Sequence, residues 1–98
     1  MISLRAILVD PSDNVVTLVQ EGRRGDWVVW DEGRVLLNED IPLGHKVAIY
    51  DIPKGRSVVK YGVSIGKATA DIRQGDLVHV HNVRSERGKG YSDDKSIS

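Results

Sequence analysis

Histidine occurs three times in this chain, as His45, His79 and His81, and two of the three stand in DLVHVHNV, residues 76 to 83. Side chains alternate across a β-strand, so imidazoles at i and i+2 leave one face with Cα atoms roughly 6.5–7 Å apart. A pair so spaced can share a metal such as Fe, Mn or Zn once a third ligand completes the shell. It can also exchange protons near neutrality, or simply line a wet polar face. Spacing alone leaves the plain polar face as the simpler reading. His45 follows a glycine in GHK, and it approaches the other two if the turns of the chain gather at one end of the domain.

A second dense segment is VVKYGVSIGKATADI, residues 58 to 72. Lys60 and Tyr61 precede Gly62, with Gly66 close behind, and glycines in strands let a backbone approach a ligand or bend sharply. Lys60 can bind a carboxylate or, if desolvated, act as a base. The plainer reading is a snorkelling lysine beside a core tyrosine. Trp27 and Trp30 fall on opposite faces of a short run, one for the core and the other available to a surface.

The elements that must position these residues are strands. SLRAILV, NVVTLVQ, DWVVW, RVLLN, KVAIYDI, SVVKYG and LVHVHNV are short Val- and Ile-rich runs bounded by Gly, Pro, Asp or Asn. No window shows a helical apolar stripe, and ten glycines punctuate the chain, which predicts an all-β domain with little or no helix. PSDN, residues 11 to 14, predicts a turn between the first two strands. Glu32-Gly33 predicts a hairpin joining Trp27–Trp30 to Arg34–Leu37, with the glycine supplying a positive φ. Asp-Ile-x-x-Gly recurs at Asp40, Asp51 and Asp71. In each copy Ile should anchor in the core, Asp should cap local amides, and Gly should take a conformation denied to other residues. The unequal spacing, eleven and then twenty residues, argues against a solenoid.

Bulk properties narrow the function classes. Ninety-eight residues make one small domain. A chain of this size buries roughly 60–65% of its unfolded surface, enough for one core but not for a deep private active site. Fourteen basic residues balance fourteen acidic ones, so no basic field recommends a nucleic-acid partner. There is no cysteine, which removes disulfides, thiolate ligands and a cysteine nucleophile. Neither a signal peptide nor a membrane span is legible, and the chain reads as a cytoplasmic protein. Residues 1–83 are expected to form the domain, and 84–98 a polar, flexible tail.

DNV, EDIPLGHKVAI, DIPKGRSVVKYGVSIGKATADIRQGDLVHVHNV and RGKG run in an order that resembles the small N-terminal domain of the altronate and galactarate dehydratases. The resemblance covers roughly residues 10 to 90 and is dense from Glu39 to Asn82, while residues 20 to 38 depart from it. It implies a SAF-type domain with a β-clip fold, built of short twisted strands and hairpins. It also implies the small subunit of a carbon–oxygen lyase, dehydrating an altronate-like sugar acid to a 2-keto-3-deoxy acid beside a large catalytic subunit. The small subunit of sulfolactate sulfo-lyase carries similar signatures, and a non-catalytic ligand-binding or assembly module is the other alternative. The implied catalytic residues are His45, His79 and His81, and the implied substrate contacts are Lys60, Tyr61 and Asn82. The implied cofactor is a divalent metal, Fe2+ or Mn2+, on His79 and His81 or held mainly by the large subunit. By itself the chain is expected to be inactive, and it is open to self-association as a homo-oligomer.

Overall fold

A computed structural model describes residues 3–85. Those residues form nine short strands and no helix: β1 Ser3–Arg5, β2 Val15–Thr17, β3 Trp27–Trp30, β4 Gly33–Leu36, β5 Lys46–Ala48, β6 Ser57–Lys60, β7 Val63–Ala68, β8 Leu77–Val78 and β9 Val83–Arg84. They build three three-stranded sheets ordered β1-β3-β4, β2-β5-β8 and β6-β7-β9. The all-β expectation holds, and the architecture is that of a SAF β-clip domain. Among the described residues no helix is long and apolar enough to cross a membrane. Arg84 is the last strand residue, opposite Lys67. Beyond Ser85, the expected tail lies outside the described residues.

The β2-β5-β8 sheet stands between two apolar clusters. Val16 and Val47 enter the first, with Leu4, Val28, Trp30 and Leu37. Val15, Ala48 and Val78 enter the second, with Val58, Ala68 and Val83. This sheet is therefore buried on both faces, which is why its strands read as continuous apolar runs rather than a clean alternation.

The Asp-Ile-x-x-Gly segments are the corners. Ile41, Ile52 and Ile72 are at most 1% exposed, and burying each stabilises the fold by ~1.5–3 kcal/mol. Ile52 and Ile72 exchange both backbone hydrogen bonds, at 2.8 and 2.9 Å, so the second and third segments lie antiparallel. That pairing corrects the capping expectation. Asp51 accepts from the amide of Gln74 and Asp71 from that of Lys54, so each carboxylate caps its partner's turn rather than its own. The first segment pairs in the same way with a stretch that lacks the signature. Ile41 bridges Gly22, and Asp40 caps the amide of Arg24 in the turn Arg23–Asp26.

The hairpin between β3 and β4 also differs from expectation. Its two-residue loop is Asp31-Glu32, and Gly33 lies in the strand opposite Trp30. A Cβ on Gly33 would meet the Trp30 indole at 3.1 Å, so contact with the ring, not a positive φ, calls for glycine there. Trp30 is buried, while Trp27 on the other face lies under the Arg34 guanidinium, 4.3 Å from its ring centroid.

Candidate functional site

HVHN is not a strand. β8 ends at Val78, and His79 to Asn82 form a turn closed by the Asn82 amide donating to the His79 carbonyl at 3.0 Å. Asn82 holds this turn with its side chain, accepting from the His79 amide at 2.9 Å and donating to the Leu77 carbonyl at 2.9 Å. An Asx side chain competing for backbone groups ends the ladder here, and Val83 resumes in a different sheet. The two imidazoles are therefore not a same-face strand pair. His79 is partly buried, and His81 sits exposed on the turn.

His79 instead meets His45. The ring centroids lie 4.6 Å apart with the planes inclined at 54°. His45 ends the tight turn begun at Pro42, and its carbonyl accepts the Leu18 amide at 3.0 Å, which ties it to the end of β2. The expectation that the turns bring GHK to the third motif is correct. His79 is held below the usual histidine pKa, first by burial and then by the nearby charges of His45, Lys46 and His81. It is a neutral imidazole near pH 7, able to accept a proton.

Lys46, the last residue of GHK, was not a sequence candidate. It is 7% exposed, and burial, then the charge of Lys60, pushes its pKa below the ordinary lysine value. Its position at the head of the apolar run KVAI was the available signal: a lysine leading a buried strand must either be desolvated or escape to solvent. Lys46 thereby links the histidine pair to Lys60. The order of electrostatic neighbours is His81, His79, Lys46 and Lys60, with His45 beside both His79 and this run.

Lys60 and Tyr61 sit at the hairpin between β6 and β7. Lys60 pairs with Val63 across a two-residue loop in which Tyr61 (φ 58°) and Gly62 (φ 76°) both have positive φ, a type I′ turn. A bulky aromatic residue in that conformation is strained. The loop is pinned by Asp13 of PSDN, a buried carboxylate that accepts from the Gly62 amide at 2.7 Å and the Asp10 amide at 3.2 Å. Asn14 stitches the same loop to β6, accepting from Val59 and donating to the Ser57 carbonyl. PSDN forms the expected turn, with the Asp13 amide donating to Asp10, and its larger role is to hold KYG. The Lys60 Nζ lies 4.7 Å from the centroid of the Tyr61 ring. Gly66 marks a close approach of the chain to itself, since a Cβ there would meet the Arg84 carbonyl at 2.6 Å.

Lys60 and Tyr61 border a largely apolar cleft of about 500 Å3, whose walls include Ile7, Val9, Thr17 and Val19. That volume falls within the range of small-molecule sites. The structure thus joins His45 with His79 and joins Lys60 with Tyr61, and Lys46 lies between the two pairs. Asn82 commits both ends of its amide to the turn that carries His79.

Among the described residues no three His, Cys, Asp or Glu side chains gather into a metal set. The two neighbouring imidazoles have the Lys46 charge beside them and no carboxylate partner among the described residues, so those residues do not fit a self-contained divalent metal centre.

Residues 4–86 match the altronate/galactarate dehydratase SAF domain. The (2R)-sulfolactate sulfo-lyase subunit alpha of Chromohalobacter salexigens is 40% identical over 93 residues, covering 87% of this chain and 98% of that protein. The altronate dehydratase of Escherichia coli is 42% identical over 82 residues, covering 84% of this chain but 17% of the enzyme. The altronate dehydratase of Bacillus subtilis is 34% identical over 79 residues, 16% of its length. The chain therefore spans nearly all of the one relative and about a sixth of the other two.

Proposed function

Because the chain belongs to the altronate/galactarate dehydratase SAF-domain family, we propose that it is the SAF component of a lyase acting on a hydroxy acid. It works with a larger catalytic polypeptide in the cytoplasm. The reaction is dehydration of an altronate-like sugar acid to a 2-keto-3-deoxy acid. The observation that carries the reading is the His45–His79 pair, with His79 neutral near pH 7 and buried Lys46 beside it. In such an elimination a base removes the proton α to the carboxylate, and the C–H electrons form the C=C bond. The β-substituent leaves with its electron pair, assisted by an acid, and the enol tautomerises to the keto acid. His79 is the proton acceptor of this proposal and His45 its neighbour in proton transfer, with His81 contributing at the rim. Lys60 and Tyr61 contact the substrate at the cleft, and Asn82 acts by positioning His79. The divalent metal of the family expectation, Fe2+ or Mn2+, belongs in this proposal to the larger polypeptide, and no step is routed through it here.

Coverage of 98% of a sulfo-lyase subunit alpha favours a second reading, in which the departing group is a sulfonate rather than a hydroxyl. Co-expression with a large dehydratase or sulfo-lyase polypeptide, followed by turnover of altronate, galactarate and sulfolactate, separates the two. In the assembled enzyme His79→Ala should lower kcat by about 10²–10⁴-fold, the usual contribution of a general base. Unchanged turnover in both His79→Ala and His45→Ala would refute the assignment.

A further inference from the structure

We propose that Thr17 and Lys46 form an oxyanion site that takes the carboxylate or sulfonate group of a small organic acid where the cleft meets the central sheet. The two residues face one another in the β2–β5 ladder. The Leu18 amide bonds to the His45 carbonyl on one side of them, and the Ile49 amide to the Asn14 carbonyl on the other. Alternation between these bonds makes Thr17–Lys46 a non-hydrogen-bonded pair, the kind whose side chains approach most closely. Both side chains project on the face shared with Val15, Ala48 and Val78.

Two independent observations point to a missing acceptor. The Thr17 hydroxyl is buried without a hydrogen-bond partner among the described residues, a rare condition for a buried polar group. Lys46 is 7% exposed, and no carboxylate among the described residues pairs with it. The acid in the cleft wall, Asp13, has its two oxygens engaged by the Gly62 and Asp10 amides. Arg5, also in the wall, is paired with Asp31. Lys60 adds a second positive charge from the opposite hairpin. Thr17 and Lys60 line the cleft, and Lys46 sits opposite Thr17 in the ladder. Two cations and a hydroxyl donor without a free acceptor among the described residues recognise an anion, and the apolar walls formed by Ile7, Val9 and Val19 suit the carbon skeleton behind it. As the anchor of a lyase substrate this site rests on the proposed function. Anion binding itself does not.

The test is an NMR titration of the 15N-labelled full chain with sulfolactate, lactate and uncharged lactamide at constant ionic strength. Saturable shifts of the Thr17, Lys46 and Lys60 amides with either acid, absent with lactamide, are expected. Sulfolactate carries both groups, so saturable binding of lactate assigns the site to the carboxylate, and binding of sulfolactate without binding of lactate assigns it to the sulfonate. Lys46→Met should weaken binding about 10–100-fold and Thr17→Val about 2–10-fold, the ranges for one charged and one neutral hydrogen bond. Both are near-isosteric and should melt at or above the wild-type temperature, which separates lost binding from lost folding. Equal shifts with lactamide, undiminished binding by folded Lys46→Met, or no saturable shift with either acid would each overturn the site. The last result would point to a partner's carboxylate as the counter-ion of Lys46. Because the readout needs no turnover, it can fail while the lyase reading stands, and succeed while no complex turns over.

Discussion

Gly44 and Gly75 occupy equivalent corners of the fold with nearly the same backbone, φ +84° and +96°, yet alanine should cost very different amounts at the two sites. A side chain in this left-handed conformation costs ~1–2 kcal/mol, offset by ~0.4–1 kcal/mol because alanine stiffens the unfolded chain. At Gly44 a Cβ would meet nothing within 4 Å, so the net loss for Gly44→Ala should be about 1 kcal/mol. At Gly75 the same atom would lie 2.3 Å from the Leu36 carbonyl oxygen and 3.0 Å from the Asn38 Nδ2. The turn must then withdraw from the end of β4. That endangers the Asn38 amide bond to the Gly75 carbonyl at 3.0 Å and the Asn38 side-chain bonds to Gln74 and Asp76 at 2.8 and 2.9 Å. At ~0.5–1.5 kcal/mol for each bond, the added loss is ~2–3 kcal/mol and the total ~3–4 kcal/mol. Each kcal/mol lowers the melting temperature of a domain this size by about 4–8 °C. Urea unfolding followed by the fluorescence of buried Trp30 measures both variants in one buffer. If the two alanines cost the same within ~0.5 kcal/mol, contact with β4 does not govern this corner and the reasoning fails.

Two further outcomes test the site. Tyr61→Asn should leave stability unchanged or raise it by ~0.5–1 kcal/mol, since asparagine tolerates φ 58°, while raising KM in the assembled enzyme. A loss above ~1 kcal/mol would mean that ring packing outweighs the strain. The folded-state pKa of His79 lies below its ordinary value of 6.5, so the unfolded chain takes up the proton first as the solution is acidified. Stability should therefore fall as pH drops from about 6.5 towards the lower folded-state value, and be flat in this contribution above it. His79→Gln should flatten that slope in urea titrations between pH 7 and 5, and an unaltered slope would contradict the assignment.

Periodicity was enough for the strands because each run carries its own bounds. KVAIYDI and SVVKYG both begin after a glycine turn, and Val47, Ala48, Ile49, Ile52 and Val58 go to the interior while Tyr50 and Tyr61 stay exposed. The corners were legible for a similar reason: Ile must be buried and Gly must adopt a positive φ wherever the turn sits. The partner of each corner was not legible. Asp51 caps Gln74 only because Ile52 and Ile72 pair across the fold, and the fourth corner at Arg23–Asp26 has no Asp-Ile to announce it. Gly33 illustrates the same gap, since its need for glycine comes from the ring of Trp30 rather than from the turn.

At the site, residue types and order in the sequence were sufficient to single out GHK, KYG and HVHN and, through their resemblance to a known family, to imply the chemistry. Side-chain alternation failed for His79 and His81 because Asn82 turns the chain after Val78, a local bond that period-two reasoning does not anticipate. Tertiary structure alone decided that the His79 ring meets that of His45, tilted at 54°, since that contact depends on how two distant turns meet. It also decided that Lys46 is buried opposite a Thr17 hydroxyl that has no partner among the described residues. Burial and pairing across sheets are properties of the assembled core. A linear pattern shows which residues can do chemistry, and only packing determines which of them lose water together.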